Sequence, residues 1–440
     1  MSRSLNKRDL IILAALLAVG AVGLILHRGS VEGAINGRLY AAVHFLDSPA
    51  FMVSLDSDDA FTLAEALRLE PDGLPDVHFV VRDGAFAFVK SDCPDLLCVS
   101  MGFQSQLGGF AACLPNRLFF YIEKARYSMY STVFFDIFDT LVFLRIFAAS
   151  HYEFERVADE IYNELLGLHR LFDIFNEHEG INNIATINRL AGIEPVTVSM
   201  NLLELIYAGI EAYHTSGGAV NIALGPALRL WHEFLTGASD SPPNLQALEA
   251  AKLLSNIDDV IIDWELGQIF LAYEGMSLDV GALAKGFALE IAANTARELG
   301  VTSGIISMGG DMVIIGRPLD GREYFTIGIE NPHGDGLFAT KLLSNSAVAT
   351  SGNYQRFIMY DGVRYHHIID PSTLLPSSRF SSVTIVHNSP FASEFLSLAA
   401  FILPIDEGKR LAGELGAEAL WILPDGSYIT TDGFVLHEKF

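Results

Sequence analysis

The hydrophobic pattern begins with an uninterrupted apolar run. Residues 10–26 read LIILAALLAVGAVGLIL without a charge, and Arg3, Lys7 and Arg8 precede them. A helix of seventeen residues, rising about 1.5 Å per residue, spans ~26 Å, enough to cross a membrane core. Positive residues ahead of the run predict a cytoplasmic amino terminus, with everything after Arg28 outside. A signal peptide would need a better cleavage site than residues 18–23 offer. We therefore expect residues 1–28 to be an uncleaved, single-pass anchor in the cell membrane.

Short stretches with strand character follow the apolar run. Residues 77–79, 85–89 and 118–122 are short stretches rich in apolar, aromatic and β-branched residues and separated by turn residues, which predicts strands. The dipeptide Asp83-Gly84 between two of them predicts a hairpin turn. We interpret residues 31–125 as a small β domain.

The pattern changes to a helical period after residue 131. Ile161, Leu165 and Leu168 recur within residues 153–176 at helical spacing. Further helices are predicted at 202–214 and 282–299, and strands at 134–147, 303–308, 326–329, 347–350 and 382–386. The two types of element alternate without a strict βαβ repeat, so residues 131–440 are predicted to form an α+β domain.

Composition narrows the possible partners. Half of the 440 residues are hydrophobic, and 53 acidic residues against 28 basic ones give a net charge of −25. A chain this rich in apolar residues buries a large core. A surface this negative repels phosphate backbones, so no nucleic-acid partner is expected. Metal ions and basic proteins remain compatible with it.

The three cysteines lie in one short stretch of the small β domain. Cys93, Cys98 and Cys113 are too few to build a disulfide scaffold. Three thiolates could hold a metal ion or cluster with a fourth ligand from elsewhere. The alternative is one disulfide and one buried thiol, which an oxidising exterior permits. We favour the disulfide, because no histidine lies at metal-ligand spacing.

Four glycine-rich or histidine-rich motifs carry the candidate chemistry. In LDVGALAKGFA, residues 278–288, an aspartate and a lysine flank a helix start, where anions bind. SMGGDMVIIG, residues 307–316, predicts a tight hairpin, and VATSGNYQRF, residues 348–357, offers hydroxyls and amides after a strand. RYHHIIDPSTLLP, residues 364–376, supplies a histidine for proton transfer. Taken singly, the aspartate–lysine motif is more often a helix cap with a solvated charge, and a single histidine in such a turn is more often structural.

Together, the order and spacing of these motifs resemble the ApbE family of FAD:protein FMN transferases. The resemblance covers about residues 131–430. It implies an α+β fold outside the cytoplasmic membrane that uses Mg²⁺ to cut the pyrophosphate of FAD. The FMN is then placed on a threonine of an acceptor protein, in a motif ending in Gly-Ala-Thr or Gly-Ala-Ser. Residues 91–120 resemble the second domain of NusG-type proteins in a membrane-anchored form, through Cys93, Pro94, Cys98, Gly102, Cys113, Leu114, Pro115 and Asn116.

The resemblance assigns roles to individual residues. His367 matches the catalytic histidine, which would accept a proton from the acceptor hydroxyl. The backbone carbonyl of Ala282 and the side chain of Glu394 match metal ligands. The positions that match FAD contacts are Phe175, Ala219, Val220, Asn221, Asp279, Lys285, Thr350, Ser351, Gly352 and Ile368.

Several positions depart from the family pattern. Glu394 stands where an aspartate binds the metal, and its longer side chain still carries a carboxylate. Each of the other changes removes a charge, a hydroxyl or a glycine: Leu398 stands where a threonine binds the metal, Asn221 and Asn353 replace aspartates, Leu374 replaces glycine, and Phe175 replaces tyrosine. Leucine cannot bind Mg²⁺.

The sequence therefore leaves two alternative hypotheses about function. The chain is a membrane-anchored transferase that puts FMN on a Thr or Ser of an extracytoplasmic redox protein and releases AMP. Alternatively, it is a catalytically weakened FAD-binding or scaffold protein of a membrane redox assembly.

Overall fold

The computed structural model describes residues 34–440, apart from residues 47, 57 and 68. The apolar run at 10–26, which we expect to anchor the chain, lies outside the described residues. Within the described part of the chain, no helix has both the length and the apolar character needed to cross a membrane. Helices and strands are mixed throughout, as an α+β fold requires.

The strands are numbered in chain order. They are β1 (Ala34–Phe45), β2 (Ser48–Ser54), β3 (Asp59–Thr62), β4 (His78–Arg82), β5 (Ala85–Lys90), β6 (Phe110–Cys113), β7 (Leu118–Ile137), β8 (Thr140–Ala148), β9 (Val196–Thr197), β10 (Val260–Asp263), β11 (Gln268–Leu271), β12 (Gly304–Met308), β13 (Asp311–Ile315), β14 (Phe325–Glu330), β15 (Leu337–Leu343), β16 (Ser346–Gly352), β17 (Phe357–Tyr360), β18 (Val363–His366), β19 (Ile369–Asp370), β20 (Leu375–Pro376), β21 (Ser382–His387), β22 (Glu418–Ile422), β23 (Tyr428–Thr430) and β24 (Glu438–Lys439).

The helices are numbered in the same way. They are α1 (Leu63–Leu67), α2 (Leu97–Ser100), α3 (His151–Phe172), α4 (Ile184–Arg189), α5 (Met200–Thr215), α6 (Gly225–Leu235), α7 (Leu245–Lys252), α8 (Ala284–Glu298), α9 (Pro390–Ile402) and α10 (Ile405–Glu414). Two short 3₁₀ turns lie at Ile222–Leu224 and Ile257–Asp259.

One large antiparallel sheet runs through the described chain. Its order is β2-β1-β7-β8-β12-β13-β16-β21-β22-β23, with β6 also paired to β7. Strand β7 is 20 residues long and passes straight through residues 125–131, where we placed the end of the small domain. Its first half pairs with β1 and β6, and its second half pairs with β8. The two predicted domains therefore share a strand instead of being joined by a linker.

The small β domain has its own aromatic core. The rings of Phe79 and Phe86 stack at 5.5 Å, and Phe120 of β7 packs edge-on against Phe86 at 4.7 Å. The predicted hairpin is present: Asp83 and Gly84 both adopt positive φ between β4 and β5, as a type I′ turn requires.

The expected disulfide does not form. Cys93, Cys98 and Cys113 are free and buried.

Helix α3 shows how the sequence sets the second domain. Ser150 caps it by accepting a hydrogen bond from the backbone N–H of Glu153 at 3.2 Å. The buried face repeats at helical spacing and packs into the main core, at Phe154, Ile161, Leu165, Leu168 and Phe172. The helix ends at Phe172 rather than at the predicted residue 176, because the Asp173 carboxylate accepts the backbone N–H groups of Phe175 and Asn176. Helix α8 lies beside α3, and α9 packs between α8 and strands β16 and β21.

Candidate functional site

A tight hairpin places the first acidic residue of the site. Gly309 and Gly310 join β12 to β13 with φ values of 60° and 98°, which glycine adopts without strain. A Cβ atom on Gly309 would lie 2.8 Å from the Thr140 hydroxyl, so the turn has no room for a side chain there. Asp311 therefore starts β13 at a fixed position, with 5% of its surface exposed.

Lys285 lies between two buried carboxylates. Its ammonium donates to Asp311 and to Glu394, which follows it by 109 residues. Glu394 is 3% exposed, whereas the Lys285 side chain keeps 29% of its surface in contact with solvent. We call Lys285, Asp311 and Glu394 the ion-pair network. It joins the start of α8, the start of β13 and the first turns of α9.

The approach of α9 to α8 depends on a glycine. The backbone N–H of Gly286 donates to the second oxygen of Glu394 at 2.6 Å. A Cβ atom on Gly286 would lie 2.7 Å from the carbonyl oxygen of Pro390 and 2.9 Å from the Glu394 carboxylate. The KGF sequence of the motif thus supplies both the ammonium and the contact surface for Glu394.

The network has an unusual charge balance. Burial alone would lower the pKa of Lys285, but the adjacent Asp311 and Glu394 carboxylates raise it, so the ammonium stays charged. Burial raises the pKa of Glu394 to about 7, against the opposing effect of Lys285. Glu394 therefore binds a proton at higher pH than an exposed glutamate does.

The two adjacent histidines differ completely in surroundings. His366 is 3% exposed, and its Nε2 lies 2.7 Å from the carbonyl oxygen of Ser377. The His367 ring is exposed, and its Nδ1 lies 3.4 Å from the carbonyl oxygen of Arg356. The surrounding chain still lowers the pKa of His367, chiefly by holding water away from the charged ring, and the positive charge of Lys285 adds to this effect. His367 is therefore neutral and accessible at pH 7.

The end of β16 connects the network to its neighbours. The backbone N–H of Thr350 donates to Asp311 at 3.0 Å, and its hydroxyl lies 2.9 Å from that of Thr384. The hydroxyl of Ser351 lies 2.9 Å from that of Ser397 on α9. Gly352 follows with no space for a side chain, since a Cβ would meet the ring of Tyr354 at 2.4 Å.

A cavity of about 430 Å³ is lined in part by Asp370, three residues after His367, and by none of the three residues of the ion-pair network. Its walls include Ala219, Asn221 and Asp370, with the cationic side chains of Lys252 and Arg379. Val220, between the first two, is held by a hydrogen bond from its N–H to Ser216. Ile368, within the segment that joins His367 to Asp370, is buried. The size is within the range of small-molecule sites, and the lining offers polar groups and positive charge.

A further cluster lies around Asp279. Its carboxylate accepts the N–H of Gly281 at 2.9 Å, and its own N–H donates to the carbonyl oxygen of Ile222 at 2.8 Å. Burial raises the pKa of Asp279, while the nearby His232 opposes this shift. His232 also packs on the exposed ring of Phe175 at 5.1 Å. His232 thus contacts Phe175 and acts electrostatically on Asp279, and both of these residues are predicted to contact FAD.

Three of the departures from the family pattern have structural explanations or consequences. Asn221 accepts the N–H of Ala223 and donates to the carbonyl of Ser255, a donation that an aspartate could not make. Asn353 donates to the carbonyl of Phe380, but its buried side-chain oxygen has no partner. Leu374 adopts a φ of 62°, a conformation that favours glycine, and is buried.

The donor set for Mg²⁺ is compatible but small. Glu394 supplies a carboxylate, and no hydrogen bond to the Ala282 carbonyl oxygen occurs among the described residues. Leu398 offers no ligand atom and packs against the main core. Mg²⁺ commonly takes one or two protein carboxylates and completes its shell with water and substrate phosphates. The types of donor present therefore fit such an ion, which would share Glu394 with Lys285 and with the N–H of Gly286. The cavity and the ion-pair network likewise provide apolar walls and charged groups for a nucleotide such as FAD.

The sequence reading did not assign Asp311, Ser397 or His232 to the site. The signal for Asp311 is its position directly after Gly309 and Gly310, but that position is equally expected of a residue in a tight hairpin. Ser397 and His232 sit on helices, and the contacts that define them come from distant parts of the chain. No local pattern marks those two residues.

Comparison with known proteins identifies relatives of most of the chain. The sequence model described as the ApbE family matches residues 138–421, and that of NusG domain II matches residues 11–126. A protein of Klebsiella pneumoniae named FAD:protein FMN transferase is 30% identical over 242 residues, which is 54% of this chain and 74% of the relative. A protein of Treponema pallidum with the same name is 33% identical over 270 residues, 57% of this chain and 74% of the relative.

Solved structures agree in fold. The ApbE protein of Thermotoga maritima superposes with a TM-score of 0.61 at 27% identity, covering 69% of this chain and 97% of that one. The flavin transferase ApbE from Vibrio cholerae gives 0.60 at 22% identity, with the same coverage of both chains.

Proposed function

This chain belongs to the ApbE family, and from that premise we propose that it is an FAD:protein FMN transferase. In this reaction a Thr or Ser hydroxyl of an acceptor protein attacks the phosphorus nearest the flavin. The oxygen–phosphorus bond to the acceptor forms, the pyrophosphate bond breaks, and AMP leaves. The observation that carries the proposal is the exposed, neutral His367 close to the ion-pair network.

His367 acts as the general base. Its lowered pKa keeps the ring unprotonated at neutral pH, so a ring nitrogen is free to take the hydroxyl proton as the oxygen attacks. The contact of Nδ1 with the Arg356 carbonyl orients the ring, because a protonated Nδ1 donates there and leaves Nε2 as the acceptor. His366 has no such role, since it is buried against Ser377.

Other residues hold the nucleotide and its charge. Lys285 supplies a fixed ammonium, and the backbone N–H of Thr350 donates to the same Asp311 carboxylate as that ammonium. Glu394 and the Ala282 carbonyl would hold Mg²⁺, which supplies electrophilic stabilisation to phosphate oxygens. The cavity beside Asp370 and the Phe175–His232 pair would accommodate the flat rings of FAD.

The direct test is AMP release. Purified chain is incubated with FAD, Mg²⁺ and a peptide containing the Gly-Ala-Thr motif, and AMP is measured beside FMN on the peptide. The proposal requires equal amounts of both. The matched control is the same peptide with Ala in place of Thr, which should release no AMP through transfer. FAD binding without AMP would instead establish the weakened FAD-binding protein, which Leu398 and the Lys285–Glu394 contact favour.

We further propose that the described domains lie outside the cytoplasmic membrane and modify an extracytoplasmic redox protein. The support is the charge pattern at Arg3, Lys7 and Arg8 before residues 10–26. Protease added to intact cells, or to spheroplasts where an outer membrane is present, should degrade residues 131–440. Complete protection of that region, with degradation after lysis, would contradict this topology.

A further inference from the structure

The chain's only three cysteines meet in the core of the small β domain. Cys93 lies in the loop after β5, Cys98 in α2 and Cys113 at the end of β6. Their sulfur atoms all lie within 4.8 Å of one another, and the side chains are 6%, 1% and 2% exposed. Three separate elements thus converge on one small volume with their thiols.

The sulfur spacing matches a single metal ion. The Sγ atoms of Cys93 and Cys98 are 3.7 Å apart. A tetrahedral ion with bonds of ~2.3 Å to sulfur holds its sulfurs about 3.8 Å apart, whereas a disulfide requires ~2.05 Å. The thiolates of a four-iron cluster bind different irons and lie farther apart than sulfurs sharing one ion. With Cys93 and Cys98 at this spacing and all three sulfurs within 4.8 Å of one another, the geometry fits a mononuclear thiolate site.

Ser91 orients one of the thiols. Its hydroxyl oxygen accepts the N–H of Cys93 at 3.3 Å and the side-chain N–H of Asn116 at 3.1 Å. Both lone pairs are occupied, so its own hydrogen is left to donate to the Cys113 sulfur at 3.5 Å. Ser91 is thus a positioning residue rather than a ligand. Hydrogen bonds of this kind fix the ligands of metal sites.

We propose that Cys93, Cys98 and Cys113 bind one thiophilic divalent ion of the Zn²⁺ type as thiolates. Three metal–sulfur bonds form, and each thiol that was protonated releases its proton to solvent. The three negative thiolates and the divalent ion leave a net charge of −1 on the site. No fourth protein ligand is required, because water can complete a tetrahedral shell. The site is separate from the proposed transfer chemistry, which involves residues of the second domain.

Cobalt substitution tests the proposal with the full chain. Reduced, metal-free protein is titrated with Co²⁺, whose sulfur-to-metal absorption band grows with the number of bound thiolates, and Zn²⁺ is then added. We expect one Co²⁺ per chain, a band of three-thiolate intensity, and its loss on displacement by Zn²⁺. Because the chain has three cysteines in all, the band reports on this site alone.

Variants separate ligands from their support. Cys98→Ser should lower the band by about a third and weaken Zn²⁺ binding. Ser91→Ala should retain the three-thiolate band with Zn²⁺ affinity reduced by about 10–100-fold, as for other partners of metal ligands. The matched control is Ser100→Ala, an exposed serine on the same helix as Cys98 whose hydroxyl donates to the carbonyl oxygen of Leu97.

Circular dichroism identifies variants that fail to fold. If Cys98→Ser fails to fold, the Zn²⁺ affinity of Ser91→Ala tests the site in its place. Failure of the reduced, folded wild-type chain to bind Co²⁺ or Zn²⁺ would overturn the proposal. An absorption band of unchanged intensity in folded Cys98→Ser would overturn it as well.

Discussion

Replacing Lys285 by methionine should lower the stability of the chain, because two buried carboxylates lose their cationic partner. The ammonium contacts two carboxylates that are almost fully buried, on Asp311 and Glu394. Removing one partner from a fully buried ion pair costs about 3–5 kcal/mol. The Lys285 side chain is 29% exposed, so water relieves part of this penalty. We expect Lys285→Met to lower the free energy of unfolding by about 2–3 kcal/mol at pH 8.

The pH dependence distinguishes this cause from a packing defect. Burial already raises the pKa of Glu394 to about 7 with the lysine present. Removal of the Lys285 ammonium should raise the pKa of Glu394 further. When the pKa of a group is higher in the folded chain than in the unfolded chain, the folded chain binds more protons than the unfolded chain at pH values between the two pKa values. The stability of Lys285→Met relative to wild type therefore increases as the pH falls. At pH 5.5 we expect the deficit to shrink to about 1 kcal/mol.

Urea unfolding followed by tryptophan fluorescence measures this difference. Trp231, Trp264 and Trp421, the chain's three tryptophans, all lie in the second domain, so the signal reports on the correct region. The matched control is Lys252→Met, an exposed lysine that should cost less than about 0.5 kcal/mol. A loss below about 1 kcal/mol at pH 8, or a deficit that does not change with pH, would refute the assigned charge balance.

Three further predictions concern catalysis and packing. His367→Ala should lower FMN transfer by ~10²–10⁴ with FAD affinity retained. By contrast, His366→Ala should cost about 1–3 kcal/mol of stability, because it removes a buried hydrogen bond; equal transfer losses in both would exclude His367 as the base. Leu398→Thr should strengthen the apparent Mg²⁺ affinity about tenfold, equivalent to ~1.4 kcal/mol from one added ligand, whereas Leu398→Ala should not. Gly286→Ala should destabilise the fold by about 1–3 kcal/mol and weaken transfer, because its Cβ would displace the Pro390 carbonyl; wild-type stability would contradict that contact.

Local patterns predicted much of the fold. The turn at Asp83-Gly84, the helical period through Ile161 and Leu165, and the strand ending at Met308 all depend on neighbouring residues, and all are present. Helix α9 was not predicted. It is buried on nearly every side, so it lacks the polar face that makes a helical period visible in sequence. The boundary predicted between residues 125 and 131 lies inside β7, because this strand continues from one predicted domain into the other.

The part of the candidate site that depends on neighbouring residues could also be predicted from the sequence. Adjacent histidines in an extended segment must face opposite sides, and the structure buries His366 while exposing His367. The ion-pair network depends on contacts across 26 and 109 residues. Such contacts exist only after α8, β13 and α9 are packed. The resemblance to a family supplied Lys285 and Glu394 separately, but not the fact that they bind each other.

The most direct measurement of the central claim is the mass of an acceptor after reaction. An acceptor domain carrying the Gly-Ala-Thr motif is incubated with the purified chain, FAD and Mg²⁺, and its intact mass is recorded beside that of the same mixture containing His367→Ala. The account predicts an added mass of one FMN, located on the Thr, that grows with time for the wild type and is nearly absent for the variant. An acceptor that stays unmodified although the wild-type chain binds FAD would contradict it.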